Sequence, residues 1–206
     1  MTNSKFGPLN SNYMKRITDI INFSTNAHAR TSVFIFVLRL PEHRDTGDSI
    51  ACDPDLSPGL MERVIAALRA RISVHQKRRK REGLQVCPTD LRHVWVREVG
   101  TSGKSHYHMA IFINKDTFNG LGHYSKEDHN LGSYICEAWL SALGLLEFPE
   151  YRTLVALNNK PHYLERLRVD RYAQQLLTLR GHLSYFAKED TKSYNKEERS
   201  FGGSIR

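Results

Sequence analysis

The sequence predicts an α+β fold in which helices pack mainly on one face of an antiparallel sheet. Two observations predict this class. Segments rich in β-branched and aromatic residues indicate several strands, and longer stretches with apolar residues at helical spacing indicate amphipathic helices. The chain has 206 residues, so we expect one domain over 1–206 with a substantial hydrophobic core, including a helical extension over 1–30 and a charged tail over 190–206.

The individual elements follow from local patterns. Ser57 and Pro58 mark the start of a helix whose apolar stripe extends to Ile72, because proline suits the first helical position. The β-branched and aromatic residues of 91–99 predict a strand. In chain order we predict a helix at about 12–23, a strand at 31–40, a helix at 57–82, strands at 91–99 and 105–114, a helix at about 131–144, a short strand at 153–158 and a helix at 170–189.

A pair of histidines lies at the start of one predicted strand. His106 and His108 are separated by one residue, and alternate residues of a strand point to the same face, so both imidazoles can reach one ion. The glycine-containing link before them suits a hairpin, which makes Glu98 their neighbour across the ladder. Two imidazoles and a carboxylate are a credible site for a divalent cation. The alternatives are a chance pair among ten histidines and a solvated Glu98 paired with Arg97 or Lys104.

A tyrosine and a lysine lie near the end of the last predicted helix. Tyr185 and Lys188 are three residues apart, so on a helix they share a face, and Lys192 rejoins that face if the helix continues. Asp170 is a plausible N-cap, and Gly181 weakens the helix and is a plausible bend that re-aims the tyrosine. The alternatives are an amphipathic core tyrosine and a solvated lysine that complements the helix dipole.

The charge balance indicates a polyanionic partner. The formal net charge is +8 and the sequence pI is about 9.5, and a basic surface gives salt-sensitive affinity for phosphates. We predict DNA contacts from a five-residue run at the end of one helix: Lys77, Arg78, Arg79, Lys80 and Arg81. Further predicted DNA contacts are Arg166, Arg168, Arg171 and Lys192. The alternative for the five-residue run is a cationic last turn that complements the helix dipole.

These motifs together resemble those of a known family. His106-Tyr107-His108 resembles the HUH motif, Tyr185-Phe186-Ala187-Lys188 resembles the Tyr-x-x-Lys motif, and 32–40 resembles the hydrophobic first strand of HUH endonucleases that initiate rolling-circle replication. The chain is most similar to inovirus-type, prophage-associated replication proteins and the related YagK/YfjJ C-terminal-domain-like group. The segment from Trp95 to Gly100 that leads into the histidines contributes to this similarity.

The resemblance implies a fold and a chemistry. The fold would be a ferredoxin-like or RRM-like sheet whose central strands carry the histidines. Tyr185 would attack a phosphorus of single-stranded DNA or of an origin hairpin, giving a 5′-phosphotyrosine that can later be resealed. Mg²⁺ or Mn²⁺ on His106, His108 and Glu98 would polarise the phosphate, and Lys188 would add positive charge nearby. A host helicase and polymerase would be the protein partners.

Two other functions fit the same residues. One is a nucleic-acid-binding module that uses an RRM-like sheet without cleavage. The other is a metal-dependent phosphodiesterase in which water attacks. The three cysteines have no CxxC spacing, and no apolar run has transmembrane length, so we expect a cytoplasmic protein without membrane contact. A second metal site at His123, Asp128 and His129 is less expected than ordinary loop polarity.

Overall fold

The computed structural model describes residues 7–41, 53–100, 103–123, 129–189 and 199–204. It confirms the α+β class, with one six-stranded sheet and four α-helices in the described ranges. The α-helices are α1 (Ser11–Ala27), α2 (Leu60–Arg81), α3 (Leu131–Ala142) and α4 (Val169–Leu183). The strands are β1 (Arg30–Arg39), β2 (Arg92–Val99), β3 (Ser105–Asn114), β4 (Val155–Leu157), β5 (His162–Glu165) and β6 (Phe201–Gly203). Two 3₁₀ helices cover Pro149–Leu154 and Ser184–Ala187.

The chain separates into two compact units. The first comprises the described residues of Met1–Val37, Cys87–Gly120 and Asn158–Arg206, and the second those of Leu38–Val86 and Leu121–Leu157. The first unit therefore contains α1, most of β1, β2, β3, β5, α4 and β6. In the second unit α2 and α3 pack against each other. Every residue that the sequence predicts for the metal site or the nucleophile belongs to the first unit.

The sheet has the strand order β4–β1–β3–β2–β6, and β5 also pairs with β1. The pairs β1–β5, β2–β3 and β2–β6 are antiparallel. The predicted hairpin is present as the β2–β3 ladder, in which Glu98 is opposite His106 and Val96 is opposite His108. This register places the predicted ligands beside one another at the hairpin end of two neighbouring strands.

The core of the first unit shows on which face of the sheet the predicted ligands lie. Val94 and Val96 of β2 and Ala110 and Phe112 of β3 are fully buried in one apolar cluster. Alternate residues of a strand share a face, so Glu98, His106 and His108 continue that same face towards the hairpin end. The cluster is completed by residues of the covering helices: Ile17, Ile20 and Ile21 of α1, Leu179 and Leu183 of α4, and Phe186 and Ala187 of the second 3₁₀ helix.

The sequence-based boundaries need several corrections. The helix predicted from 57 begins at Leu60, because Gly59 adopts a left-handed conformation with φ of 85° and forms the N-cap. The helix predicted over 170–189 ends at Leu183 and gives way to the second 3₁₀ helix. The strands β5 and β6 are additions to the predicted elements. The segment expected to be a charged tail contributes β6 to the sheet, and α1, expected to be an extension, contributes to the core.

Strand β6 pairs with β2 at the edge of the sheet, and its backbone lies close to the side chain of Trp95. Gly202 is opposite Trp95 in the ladder, and a Cβ atom at this glycine would lie 2.5 Å from the indole ring. Phe201 stacks on Tyr13 of α1 with ring centroids 4.1 Å apart. The absence of a side chain at Gly202 therefore allows β6 to pack on the tryptophan.

This approach predicts a stability difference between two glycine substitutions. Gly202→Ala should destabilise the protein by about 1–3 kcal/mol, because the methyl group would overpack the tryptophan. The matched control is Gly181→Ala within α4, where an added Cβ meets nothing within 4 Å; it should stabilise by up to about 1 kcal/mol through helix propensity. Chemical denaturation of both variants measures the two values. An unchanged free energy of unfolding for Gly202→Ala would contradict the close packing of β6 on Trp95.

Candidate active site

The candidate site is built around one buried carboxylate. Glu98 is 2% exposed, and its Oε2 atom is 3.3 Å from His108 Nε2 and 3.7 Å from His106 Nε2. The tyrosine predicted from the C-terminal motif reaches the same atom, since the hydroxyl group of Tyr185 donates a hydrogen bond of 2.9 Å to Glu98 Oε2. Four residues that are separated by up to 87 positions in the sequence thus meet at one carboxylate oxygen.

The two imidazoles are partly exposed to solvent, whereas the carboxylate is buried. The side chains of His106 and His108 are 29% and 18% exposed. Their ring centroids lie 5.0 Å apart, and the ring of His108 also makes an edge contact with Tyr185 at a centroid distance of 5.1 Å. Within the cluster, Glu98 lies towards the core and the histidines lie towards solvent. A metal site that binds a phosphate group needs such access from solvent.

The geometry of the three predicted ligands fits a metal ion. Their ligand atoms all lie within 4.8 Å of one another, and within the described ranges no other group of three or more such residues does so. Two ligand atoms that are each about 2.1 Å from one ion lie at most about 4.2 Å apart, so only a small closing movement is required. The Nε2 atom of His108 is buried and makes no hydrogen bond with the described part of the chain. In the tautomer with its proton on Nδ1, this buried nitrogen offers its lone pair to a cation.

Tyr185 reaches the cluster through a change of helix type. The helix α4 ends at Leu183, and the following 3₁₀ helix carries Tyr185 and the buried Phe186. This tighter turn, with about three residues per turn, redirects the chain after α4. The pKa of Tyr185 is raised to about 12, first by burial and then by the hydrogen bond to Glu98 and its negative charge. The phenol is thus fully protonated at neutral pH in this arrangement.

The N-terminal segment contacts the end of the 3₁₀ helix that carries Tyr185. This contact was not predicted from the sequence. The backbone N–H of Asn10 donates to the carbonyl of Ala187 at 2.8 Å, and Leu9 forms an isolated bridge with Lys188. Asn10 is also the N-cap of α1, where its side chain accepts from the backbone N–H of Tyr13. Asparagine is a common N-cap, but nothing local indicates that this cap adjoins residues 187–188.

Of the two lysines predicted beside the tyrosine, Lys188 lies within the described residues. Lys188 follows the 3₁₀ helix in an extended conformation, with φ of −58° and ψ of 136°. The α-helix predicted to carry Tyr185 and Lys188 therefore ends before both residues, and the backbone N–H of Lys188 donates to the carbonyl of Tyr185 at 3.1 Å across the 3₁₀ turn. Lys192 lies outside the described residues, as does Asp128 of the alternative loop cluster.

The basic run at the end of α2 divides into two groups. Arg78 approaches Glu82 at 3.7 Å, and Arg79 donates to the carbonyl of Gln85 at 3.3 and 3.4 Å. These two residues support the interpretation as a cationic helix end. The others line an open groove beside the exposed Val74: Lys77, Lys80 and Arg81.

The second predicted basic group lies around the start of α4 in the first unit. Arg168 is the N-cap residue of the helix, and Arg171 pairs with Asp170 at 3.4 Å. Arg166 reaches the side chain of Asn26 at 3.4 Å. All three arginines are exposed, so their guanidinium groups are accessible to a polyanion.

The fold and the site define an α+β protein with a glutamate–histidine–histidine cluster joined by a tyrosine. The chain belongs to the YagK/YfjJ C-terminal domain family, whose model matches residues 1–204. It is 33% identical over 198 residues to the uncharacterized protein YagK of Escherichia coli (strain K12), covering 92% of this chain and 90% of that protein. It is 30% identical over 203 residues to the uncharacterized protein YfjJ of the same strain, covering 97% and 96%. No solved structure gives a significant match.

None of the helices in the described ranges combines the length and the apolar composition that a bilayer crossing demands.

Proposed function

We propose that this protein is a metal-dependent endonuclease of the HUH type that nicks single-stranded DNA and rejoins it, as an initiator of phage- or plasmid-type rolling-circle replication. The observation that supports this most directly is the meeting of the Tyr185 hydroxyl group with His106 and His108 at Glu98. A structural tyrosine has no need of such a cluster, whereas a tyrosine nucleophile can be activated by an adjacent base or by a metal ion.

The reaction follows from the position of the hydroxyl group. A bond forms between the oxygen of Tyr185 and a DNA phosphorus, and the bond from that phosphorus to the 3′ oxygen breaks. The hydroxyl oxygen of Tyr185 lies 2.9 Å from Glu98 Oε2, so this carboxylate is placed to accept the hydroxyl proton, and the departing 3′ oxygen takes up a proton. Because one phosphodiester replaces another, the 3′-hydroxyl group can later attack the phosphotyrosine and reseal the strand without ATP.

The nucleophile needs positive charge nearby. Burial and the adjacent carboxylate raise the pKa of Tyr185 to about 12, and the phenolate is the stronger nucleophile. His106, His108 and Glu98 would hold Mg²⁺ or Mn²⁺, which supplies polarisation of the scissile phosphate and stabilisation of its developing charge. Lys188, which lies three residues beyond the tyrosine, is a candidate for further positive charge.

The placement of Tyr185 also argues against the two alternative functions. A phosphodiesterase that uses water has no reason to direct a half-buried phenol at the ligand cluster. A binding module on an RRM-like sheet would instead present aromatic side chains on an open face, whereas α1 and α4 contribute to the apolar cluster on the face that carries the histidines. The protein would act in the cytoplasm of a bacterial host, with a helicase and a polymerase supplied by that host.

A labelled single-stranded oligonucleotide separates the three functions. Incubation with the protein and Mg²⁺ or Mn²⁺ should give a protein–DNA adduct that survives SDS. Cleavage without attachment would support hydrolysis by water, and binding without cleavage would support the binding module. Either of these two results would overturn the proposal of a tyrosine nucleophile.

The two groups of the α2 basic run should differ in their effect on DNA affinity. Replacing Lys77, Lys80 and Arg81 with glutamine should weaken binding and reduce the slope of log K against log [salt] by about 0.7 for each phosphate that is no longer neutralised. Arg79→Gln is the matched control, because its guanidinium group already donates to Gln85. Fluorescence anisotropy at several salt concentrations measures both slopes. Equal effects of the control and the triple variant would remove this groove from the DNA path.

A further inference from the structure

A second pair of histidines lies outside the cluster at Glu98. His162 of β5 and His182 of the last turn of α4 approach each other with Nε2 and Nδ1 2.8 Å apart. Their ring centroids are 4.7 Å apart and the rings are nearly perpendicular, with an angle of 79° between the planes. The two residues are 20 positions apart, on a strand and a helix, so the packing of α4 beside β5 brings these nitrogens together.

The fold gives the pair a fixed position. His162 is opposite Val33 in the β1–β5 ladder and shares a face of β5 with the fully buried Leu164. His182 is followed directly by Leu183, which is fully buried in the same apolar cluster as Leu164. Each imidazole is thus anchored by a core residue of its own element, while the contact between the rings is exposed.

The ring nitrogens are close enough to share one ion instead of one proton. Two imidazole nitrogens that are each about 2.0–2.1 Å from a tetrahedral zinc ion lie about 3.3 Å apart, so the pair must open by only about 0.5 Å. The pKa of His162 is lowered by burial and by the neighbouring His182. Neutral imidazole is the form that binds metals.

We propose that His162 and His182 form a second metal site, specific for imidazole-preferring transition ions such as Zn²⁺, Ni²⁺ or Cu²⁺. Two nitrogen ligands favour these ions over Mg²⁺ and Mn²⁺, which prefer oxygen. The exposed side of the pair leaves the remaining coordination positions to water. The site is independent of the proposed nicking reaction, because it shares no residue with the cluster at Glu98. An ion bound there would bridge β5 to the helix that leads into Tyr185.

Zinc titration of the purified protein tests this site. His162→Gln and His182→Gln should each lose one of the Zn²⁺ ions that the wild-type protein binds, or bind it more weakly by more than the roughly 10–100-fold that loss of an outer-shell partner costs. A variant with both His106→Ala and His108→Ala should retain that ion. His123→Gln, which replaces an exposed histidine of the second unit, is the control and should bind as the wild type does.

A spectroscopic measurement keeps the test independent of folding defects. Cu²⁺ added to the His106→Ala, His108→Ala protein should give an electron paramagnetic resonance signal with coupling to two nitrogens, and adding His182→Gln should reduce this to one or none. The proposal is overturned if His162→Gln and His182→Gln bind the same number of Zn²⁺ ions with wild-type affinity. It is equally overturned if the two-nitrogen signal survives the His182→Gln change.

Discussion

Tyr185→Phe is expected to abolish the covalent protein–DNA adduct and to leave the affinity for single-stranded DNA unchanged. The substitution removes the only atom that would bond to phosphorus and keeps the aromatic ring against His108. Loss of a serine protease's nucleophile lowers kcat by on the order of 10⁶-fold, and a loss of similar size is expected here. Denaturing gel electrophoresis of a labelled oligonucleotide measures the adduct, and anisotropy measures the affinity.

The matched control is another tyrosine of the same region. Tyr172 lies on α4, is partly buried and is 3.4 Å from Thr25 through its hydroxyl group, so Tyr172→Phe makes the same chemical change away from the cluster. This control should form adduct at the wild-type rate. Adduct formation by the Tyr185→Phe protein would assign the nucleophile to a different residue and overturn the proposed mechanism.

His108→Ala is expected to lower cleavage far more than DNA affinity. The Nε2 atom of His108 lies 3.3 Å from Glu98 Oε2, and the substitution removes this nitrogen, so a bound cation would lose a direct ligand. The metal affinity should fall by more than the roughly 10–100-fold typical of an outer-shell change. Calorimetric titration with Mn²⁺ measures this fall, and cleavage at saturating DNA measures the activity.

The His123→Gln variant serves as the control for this measurement and should behave as the wild type. A metal chelator should reproduce the effect of His108→Ala on cleavage in the wild-type protein. If cleavage continues at its full rate with excess chelator, or if His108→Ala retains both metal affinity and activity, then the cluster at Glu98 has another purpose.

The ligand cluster could be predicted from the sequence because its geometry is local. A short glycine-containing link joins β2 to β3, and the alternation of a strand places His106 and His108 on one side. The ladder then sets Glu98 opposite His106. The core pattern of Val94 and Val96 on the same face follows from the same alternation.

The parts that could not be predicted depend on contacts between distant residues. The strands β5 and β6 have only four and three residues, and β6 contains two glycines. Neither segment is therefore long or regular enough to be recognised as a strand from its sequence alone. The end of α4 at Leu183 is set by packing, since Phe186 and Ala187 enter the apolar cluster. Pairing of His162 with His182 likewise requires the tertiary placement of α4 beside β5.

The burial of Glu98 has a consequence for the evolution and engineering of this protein. A carboxylate at 2% exposure is costly for folding when it is ionised, unless its partners compensate, so we expect the residue that assembles the candidate site to lower the stability of the sheet. A screen that selects only for heat resistance would therefore favour uncharged residues in place of Glu98. Variants that gain thermal stability by replacing Glu98 should lose the proposed nicking activity.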